Sequence, residues 1–175
     1  LLIYSYRVAG TVGLMMAKIL KVKKQNALKA AIDLGIAMQL TNIARDVVED
    51  NTKNRKYIES NFESIKSTLI IADSFYKSSF LSIKDIPINC RFAILVARRV
   101  YRQIGNNILS KKNIENYNNS GKIYVSSFGK CLQTLLSIYD FFVLIIVSSK
   151  EHSKEAELQI INEEVNLNER IWLRN

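Results

Sequence analysis

A single proline, Pro87, stands among 175 residues, and only six glycines accompany it. With so few backbone breakers, the long segments in which apolar residues recur every three or four positions have little to interrupt them, and no stretch alternates convincingly as a strand would. The chain is therefore expected to be all-α. Helices are expected over roughly residues 2–20, 27–49, 62–80, 89–109 and 123–147. Between them lie a polar turn at 22–26, a basic loop at 51–57, a turn at 85–87 and an Asn- and Lys-rich loop at 111–122. Apolar residues make up 48% and charged residues 23% of the chain, enough for a sizeable core in one globular domain.

The second of these helices carries the most informative pattern. At about 100° per residue, Gln39, Asn42, Asp46 and Asp50 fall on one narrow arc, joined by Glu49 and Lys53, while Ile36, Leu40, Ile43 and Val47 occupy the opposite one. An acidic arc is usually a solvated face, and Glu49 fits that view, with Arg45 and Lys53 one turn away on either side. Asp46 fits it less well, because no base lies three or four residues from it. Like charges one turn apart cost about 0.2 to 0.5 kcal/mol, and a divalent cation reverses that sign. Carboxylates one turn apart, with an amide oxygen a turn earlier, suit Mg²⁺, which binds through one or two carboxylates and completes its shell with water and phosphate oxygens.

A net charge of +9 raises nucleic acid, a membrane surface or an anionic small molecule as partners. The basic residues are scattered, and no zinc-finger spacing or RNA-binding signature appears, so nucleic acid is not expected. Peripheral association with a membrane stays open. Cys90 and Cys131 lack any pairing pattern and read as reduced packing residues. The longest apolar run, 141–147, is well short of the ~20 residues that span a bilayer, so no membrane-crossing segment is expected.

The first helix contains Tyr4, Tyr6 and Arg7 and then the small-residue run Ala9-Gly10-Thr11-Val12-Gly13. A glycine inside a helix costs about 1 kcal/mol relative to alanine. Gly10 and Gly13 therefore imply either close helix packing or a local break beside a bound apolar group.

Tyr4-Ser-Tyr-Arg-Val-Ala-Gly-Thr-Val-Gly13 and Leu34-Gly-Ile-Ala-Met-Gln-Leu-Thr-Asn-Ile-Ala-Arg-Asp-Val-Val-Glu-Asp50 resemble the squalene/phytoene synthase family, and its bacterial phytoene synthases most. The likeness continues through Arg55-Lys-Tyr57, Ala72-Asp73, 97–105 and Tyr124-Val-Ser126, and so covers about residues 1–136. It implies a helical bundle of the class I isoprenoid (terpenoid) synthase type and a transferase of carotenoid biosynthesis that joins two geranylgeranyl diphosphates head to head. A cyclopropyl diphosphate intermediate is implied, together with Mg²⁺, or Mn²⁺ in its place, and no nicotinamide cofactor. The resemblance assigns Asn42, Asp46 and Asp50 to the metal and places Tyr4 over the reacting carbons. It assigns Arg45, Lys53, Arg55 and Tyr57 to the diphosphate, Gln39 to holding the site, and Val8, Ala9, Val12 and Gly13 to the apolar cavity. Tyr101 is a further cavity candidate. Cytoplasmic placement, peripheral on the inner face of the cell membrane, goes with that activity.

The likeness has departures. Ser5 replaces the family's usual Cys, and Ile58-Glu59 stands where Leu-Pro is usual. A second aspartate-rich motif, expected on an earlier helix, has no counterpart, since Asp33, Asp73, Asp85 and Asp140 stand alone. The chain also opens at Leu1 inside an apolar helical pattern. The expectation is thus a C-terminal portion of a synthase, N-terminal helices missing and inactive by itself. Residues 137–175 would complete the last helix and add an extension, in which Leu158, Ile161, Val165 and Leu167 suggest one amphipathic helix. Two other readings stay open: a squalene- or dehydrosqualene-type synthase using farnesyl diphosphate, and a non-catalytic helical interaction or membrane-associated module.

Overall fold

The computed structural model describes residues 1–147, and within them every regular element is helical. The extension expected at 148–175, with its amphipathic pattern, lies outside the described residues. The chain begins with α1 (Leu2–Ser5), a π-helical turn (Tyr6–Gly10) and α2 (Thr11–Ile19), which follow one another without a break. Next come α3 (Gln25–Arg45), α4 (Val47–Thr52) and α5 (Phe62–Phe80). A 3₁₀ turn (Leu81–Asp85) leads to α6 (Ile88–Leu109), α7 (Ile114–Asn119) and α8 (Ser127–Ile146).

Local chemistry explains several boundaries. Asn61, Asn113 and Ser126 cap α5, α7 and α8, each side-chain oxygen accepting from the backbone N–H three residues on. Pro87 precedes α6, where its missing N–H costs nothing. The expected loop at 111–122 thus contains a short helix, because Asn113 supplies a cap that a composition-based reading passes over.

α3 is the hub. Ile36, Ala37, Leu40 and Ala44 are wholly buried along it, and it packs against α2, the π turn, α5 and α6. Small residues permit that closeness. A Cβ on Gly13 would sit 2.1 Å from the Ala31 carbonyl oxygen, and one on Gly35 would sit 2.3 Å from that of Ala9. The close-packing reading of the glycine motif holds, since the helices meet backbone to backbone, and a π turn spans Tyr6–Gly10.

The four aspartates outside the acidic arc form no second motif, and each has a partner in the fold. Asp33, fully buried, accepts from the Ser78 hydroxyl at 2.7 Å. Asp73 pairs with Lys77 and Arg102, Asp85 with Lys24, and Asp140 with Arg99 through two bonds. Arg98 is buried despite its charge: its Nε and Nη2 donate to the Tyr76 carbonyl, and its guanidinium lies 4.7 Å from the Phe80 ring centroid. Burial holds its guanidinium down, to about 10.

Two further expectations change at the C-terminal side. Cys90 is half-buried as a packing residue should be, but Cys131 is exposed. α8 is 20 residues long and, by length and composition, apolar enough to cross a membrane. The apolar run at 141–147 concealed this, because Lys130, Gln133 and Asp140 divide the helix in sequence while leaving its overall character apolar.

Candidate functional site

The acidic arc is divided at Asp46, whose φ of −102° and ψ of 14° end α3 and start α4. Tyr117 accounts for the division. Its buried hydroxyl lies 3.0 Å from the Ala44 carbonyl and 2.8 Å from that of Arg45. An unbroken helix would direct those two oxygens at Val48 and Glu49. Burial pushes the Tyr117 hydroxyl up to about 12, so it remains a donor at every physiological pH.

The break lets Arg45 turn onto its sequence neighbour. Its Nε and Nη2 reach the two Asp46 carboxylate oxygens at 2.9 and 2.7 Å, a two-point pair with roughly twice the strength of a neutral bond. No base lies three or four residues from Asp46, yet Arg45 reaches it, because helical spacing says nothing about a contact made across a helix break. Arg45 is likewise absent from Glu49, which pairs instead with Lys53 at 2.6 Å and Lys122 at 2.8 Å.

Lys122 is the residue that sequence reasoning missed. It approaches from the segment between α7 and α8 and also stands 3.4 Å from Asp46. Its bond to Glu49, followed by that of Lys53, holds the Glu49 carboxyl at about 2, and the same bond to Glu49 raises the Lys122 ammonium. Its position 76 residues after Asp46 gave no sequence signal.

One turn before Asp46, the Asn42 side-chain oxygen is buried and has no hydrogen-bond partner among the described residues. Gln39 and Asn42 line a cleft of about 400 Å³ together with Val8, Ala9, Val12, Gly13, Met38 and Tyr101. All four small or apolar residues expected to face a cavity do so, and Tyr101 joins them. The walls are predominantly aliphatic, with the amide groups of Gln39 and Asn42 among the polar exceptions.

Tyr4 is not in that cleft. Its hydroxyl donates to Tyr57 at 3.1 Å, with ring centroids 4.9 Å apart, and this bond raises the Tyr4 hydroxyl above its ordinary value. Asp50, Arg55 and Tyr57 border a small separate crevice with Ile43 and Val47. No hydrogen bond or ion pair engages the Asp50 carboxylate among the described residues. The expected site residues thus fall in two parts, those that line the cleft, Gln39 and Asn42 included, and those of the charged stretch from Arg45 to Tyr57.

A divalent cation fits this donor set in an open form. No group of three or more His, Cys, Asp or Glu side chains among the described residues is arranged to enclose a metal. Asn42 nevertheless offers a buried oxygen with no partner, Asp50 offers an unengaged carboxylate, and Asp46 offers one held by two protein cations. Such hard oxygen donors suit Mg²⁺ bound through one or two carboxylates and shared with phosphate oxygens.

Residues 1–62 match the family model described as squalene/phytoene synthase. The chain is 38% identical to a phytoene synthase of Pseudescherichia vulneris, with 58% of this chain and 40% of the relative covered. It is 38% identical to a 15-cis-phytoene synthase of a Paracoccus species over the same shares. A chloroplastic phytoene synthase of an Oncidium hybrid cultivar is 31% identical, covering 75% of this chain and 38% of the relative. The chain thus spans about 40% of the length of these curated relatives. No solved structure matches it.

Proposed function

We propose that this chain, whose residues 1–62 match the squalene/phytoene synthase family model, forms the diphosphate-binding wall of a phytoene synthase. The family is one of prenyltransferases that generally depend on a divalent metal. The substrates would be two molecules of geranylgeranyl diphosphate, joined head to head.

The observation that carries this reading is the continuity of cleft and rim along α3 and α4. Asn42, whose buried side-chain oxygen has no partner among the described residues, is one of the residues lining the aliphatic cleft, and one turn later come Asp46 and its cations. The cleft residues Val8, Val12 and Met38 exclude water from the prenyl chain, which protects a cationic carbon from capture. Asn42, Asp46 and Asp50 would hold Mg²⁺, which supplies positive charge against a departing diphosphate. Arg45 and Lys122, now on Asp46 and Glu49, are placed to transfer to phosphate oxygens once a metal satisfies the carboxylates, with Arg45 the better fork. Tyr4 and Tyr57 act together as a clasp between the first helix and the basic loop of Lys53 and Arg55. We also propose cytoplasmic placement beside the inner face of the cell membrane, since a +9 chain is drawn to anionic lipid.

Titration calorimetry with a geranylgeranyl thiolodiphosphate, with and without Mg²⁺, tests the reading. Binding that requires the metal and weakens at least tenfold in Asp46→Ala and Asp50→Ala supports it. Binding indifferent to metal and to both substitutions overturns it and leaves an apolar surface without diphosphate recognition.

A further inference from the structure

α8 is held to the protein along one side. Ser137, Asp140 and Leu144 are buried there. Gln133 bonds to Gln103 at 3.2 Å, Asp140 takes two bonds from Arg99, and Lys84 donates to the Val147 carbonyl at 2.8 Å just past the helix end. The other side faces solvent. Phe128, Leu132, Leu135, Tyr139, Phe142 and Ile146 are between 44% and 83% exposed on it, and at about 100° per residue they fall on one stripe. Neither charged residue of the helix shares that stripe: Asp140 is turned to Arg99, and Lys130 falls on the protein-facing side of the helical wheel.

Two properties of the stripe identify what covers it. The first is its area. With Leu136, Ile138 and Ile145 exposed along its edges, it leaves on the order of 1,000 Å² of apolar surface open, since a single aromatic side chain carries about 150–250 Å². The largest apolar patch on a monomer is about 300–600 Å², whereas a stable interface takes about 800 Å² from each partner. The second is its order. The spacings four, three, four, three and four read the same in both directions. A second α8 laid antiparallel across the stripe, with the two-fold axis at the height of Ser137, sets Phe128 against Ile146, Leu132 against Phe142 and Leu135 against Tyr139. Every layer then joins one aromatic to one aliphatic side chain, so the layers are of similar volume, as interdigitated packing requires. A parallel pair would instead set Phe on Phe, Tyr on Tyr and Leu on Leu, alternating overfull and underfull layers. Lipid fits the helix less well. A helix lying in a membrane interface is rich in Lys and Arg beside its apolar face, and α8 has Lys130 alone.

We propose that two copies of the chain pair antiparallel through α8, forming a two-fold symmetric dimer across the stripe from Phe128 to Ile146. The inference is independent of the diphosphate reading, because no residue of α8 lines the cleft.

Sedimentation equilibrium of the full chain at micromolar concentration should give twice the chain mass of 20.0 kDa. Leu135→Glu/Phe142→Glu places carboxylates in the seam and should return the single-chain mass with unchanged helical circular dichroism. Orientation is read in a Cys90→Ser/Cys131→Ser background, by mixing a Leu132→Cys chain with a Phe142→Cys chain under mild oxidation. In the antiparallel pair residues 132 and 142 face each other, while the two 132 positions lie about 15 Å apart along the axis, too far for a disulfide. The proposal predicts the mixed 132–142 bridge as the dominant product. A monomer overturns it, as does a dimer that survives Leu135→Glu/Phe142→Glu, or growth into assemblies without a defined mass. Bridges joining 132 to 132 make the pairing parallel and overturn it. A monomer that co-sediments with phosphatidylglycerol vesicles assigns the stripe to lipid and overturns it likewise.

Discussion

Arg45 clasps Asp46, its immediate neighbour in sequence, by two bonds of 2.9 and 2.7 Å made across the point where α3 ends. Adjacent residues on a regular helix point about 100° apart and cannot pair in this way. The Asp46 carboxylate therefore has its charge already countered. On the metal-diphosphate proposal, binding would be an exchange of partners rather than the burial of bare charge.

Tyr117 is expected to maintain that break. Removing its buried hydroxyl in Tyr117→Phe leaves the Ala44 and Arg45 carbonyls without it and should cost about 0.5 to 1.5 kcal/mol. Urea denaturation of the variant gives the value. An unchanged midpoint would mean that α3 ends at Asp46 for another reason.

Glu49 supplies a pH-dependent prediction. Its folded carboxyl titrates at about 2 against an ordinary 4.5, because Lys122 and Lys53 bond to it. A lowered folded value contributes stability that is fully present above the ordinary value and is lost as pH falls towards 2. Carboxyl NMR titration should place Glu49 near the low value, and Lys122→Ala should move its midpoint upward. An unmoved midpoint would remove Lys122 from the site.

The glycines predict a contrast. Gly13→Ala drives a methyl into the Ala31 backbone carbonyl, 2.1 Å away, and should destabilise by at least the 1 to 3 kcal/mol typical of overpacking. Gly105→Ala meets only the end of the Leu69 side chain at 3.3 Å. With alanine favoured by about 1 kcal/mol inside a helix, its effect should be near zero or stabilising. Equal effects of the two in thermal denaturation would contradict the backbone contact between α2 and α3.

Asn42→Leu should separate stability from binding. A buried oxygen without a partner costs roughly 1 to 3 kcal/mol, so the variant should be as stable as the parent chain or more stable. Its Mg²⁺-dependent affinity for a prenyl thiolodiphosphate should nevertheless fall about tenfold. A destabilised variant with unchanged affinity would make Asn42 an ordinary structural residue.

Local periodicity made most of the architecture legible. α5 runs over the expected 62–80, α6 differs from expectation by one residue at its start, and Val8, Ala9, Val12 and Gly13 line a cleft as anticipated. Those features depend on residues three or four apart, which sequence displays directly. Contacts between distant segments were not legible. Lys122 reaches Asp46 and Glu49, and Tyr117 reaches the end of α3, through chain reversals that no local pattern records. The pairing of Tyr4 with Tyr57, and so its place outside the cleft, belongs to the same class. The burial of Arg98 has no local signal either, because a distant backbone carbonyl and the Phe80 ring accommodate its charge inside.

A divalent cation and a diphosphate are proposed to meet at Asn42, Asp46 and Asp50. Paramagnetic Mn²⁺, titrated into isotopically labelled chain with and without inorganic diphosphate, tests it most directly, because line broadening falls steeply with distance from the metal. The account predicts that the amide signals of residues 42–50 broaden first, that diphosphate sharpens the response to substoichiometric metal, and that Asp46→Ala abolishes it. Broadening centred on another part of the molecule, or unaffected by both diphosphate and Asp46→Ala, would contradict it.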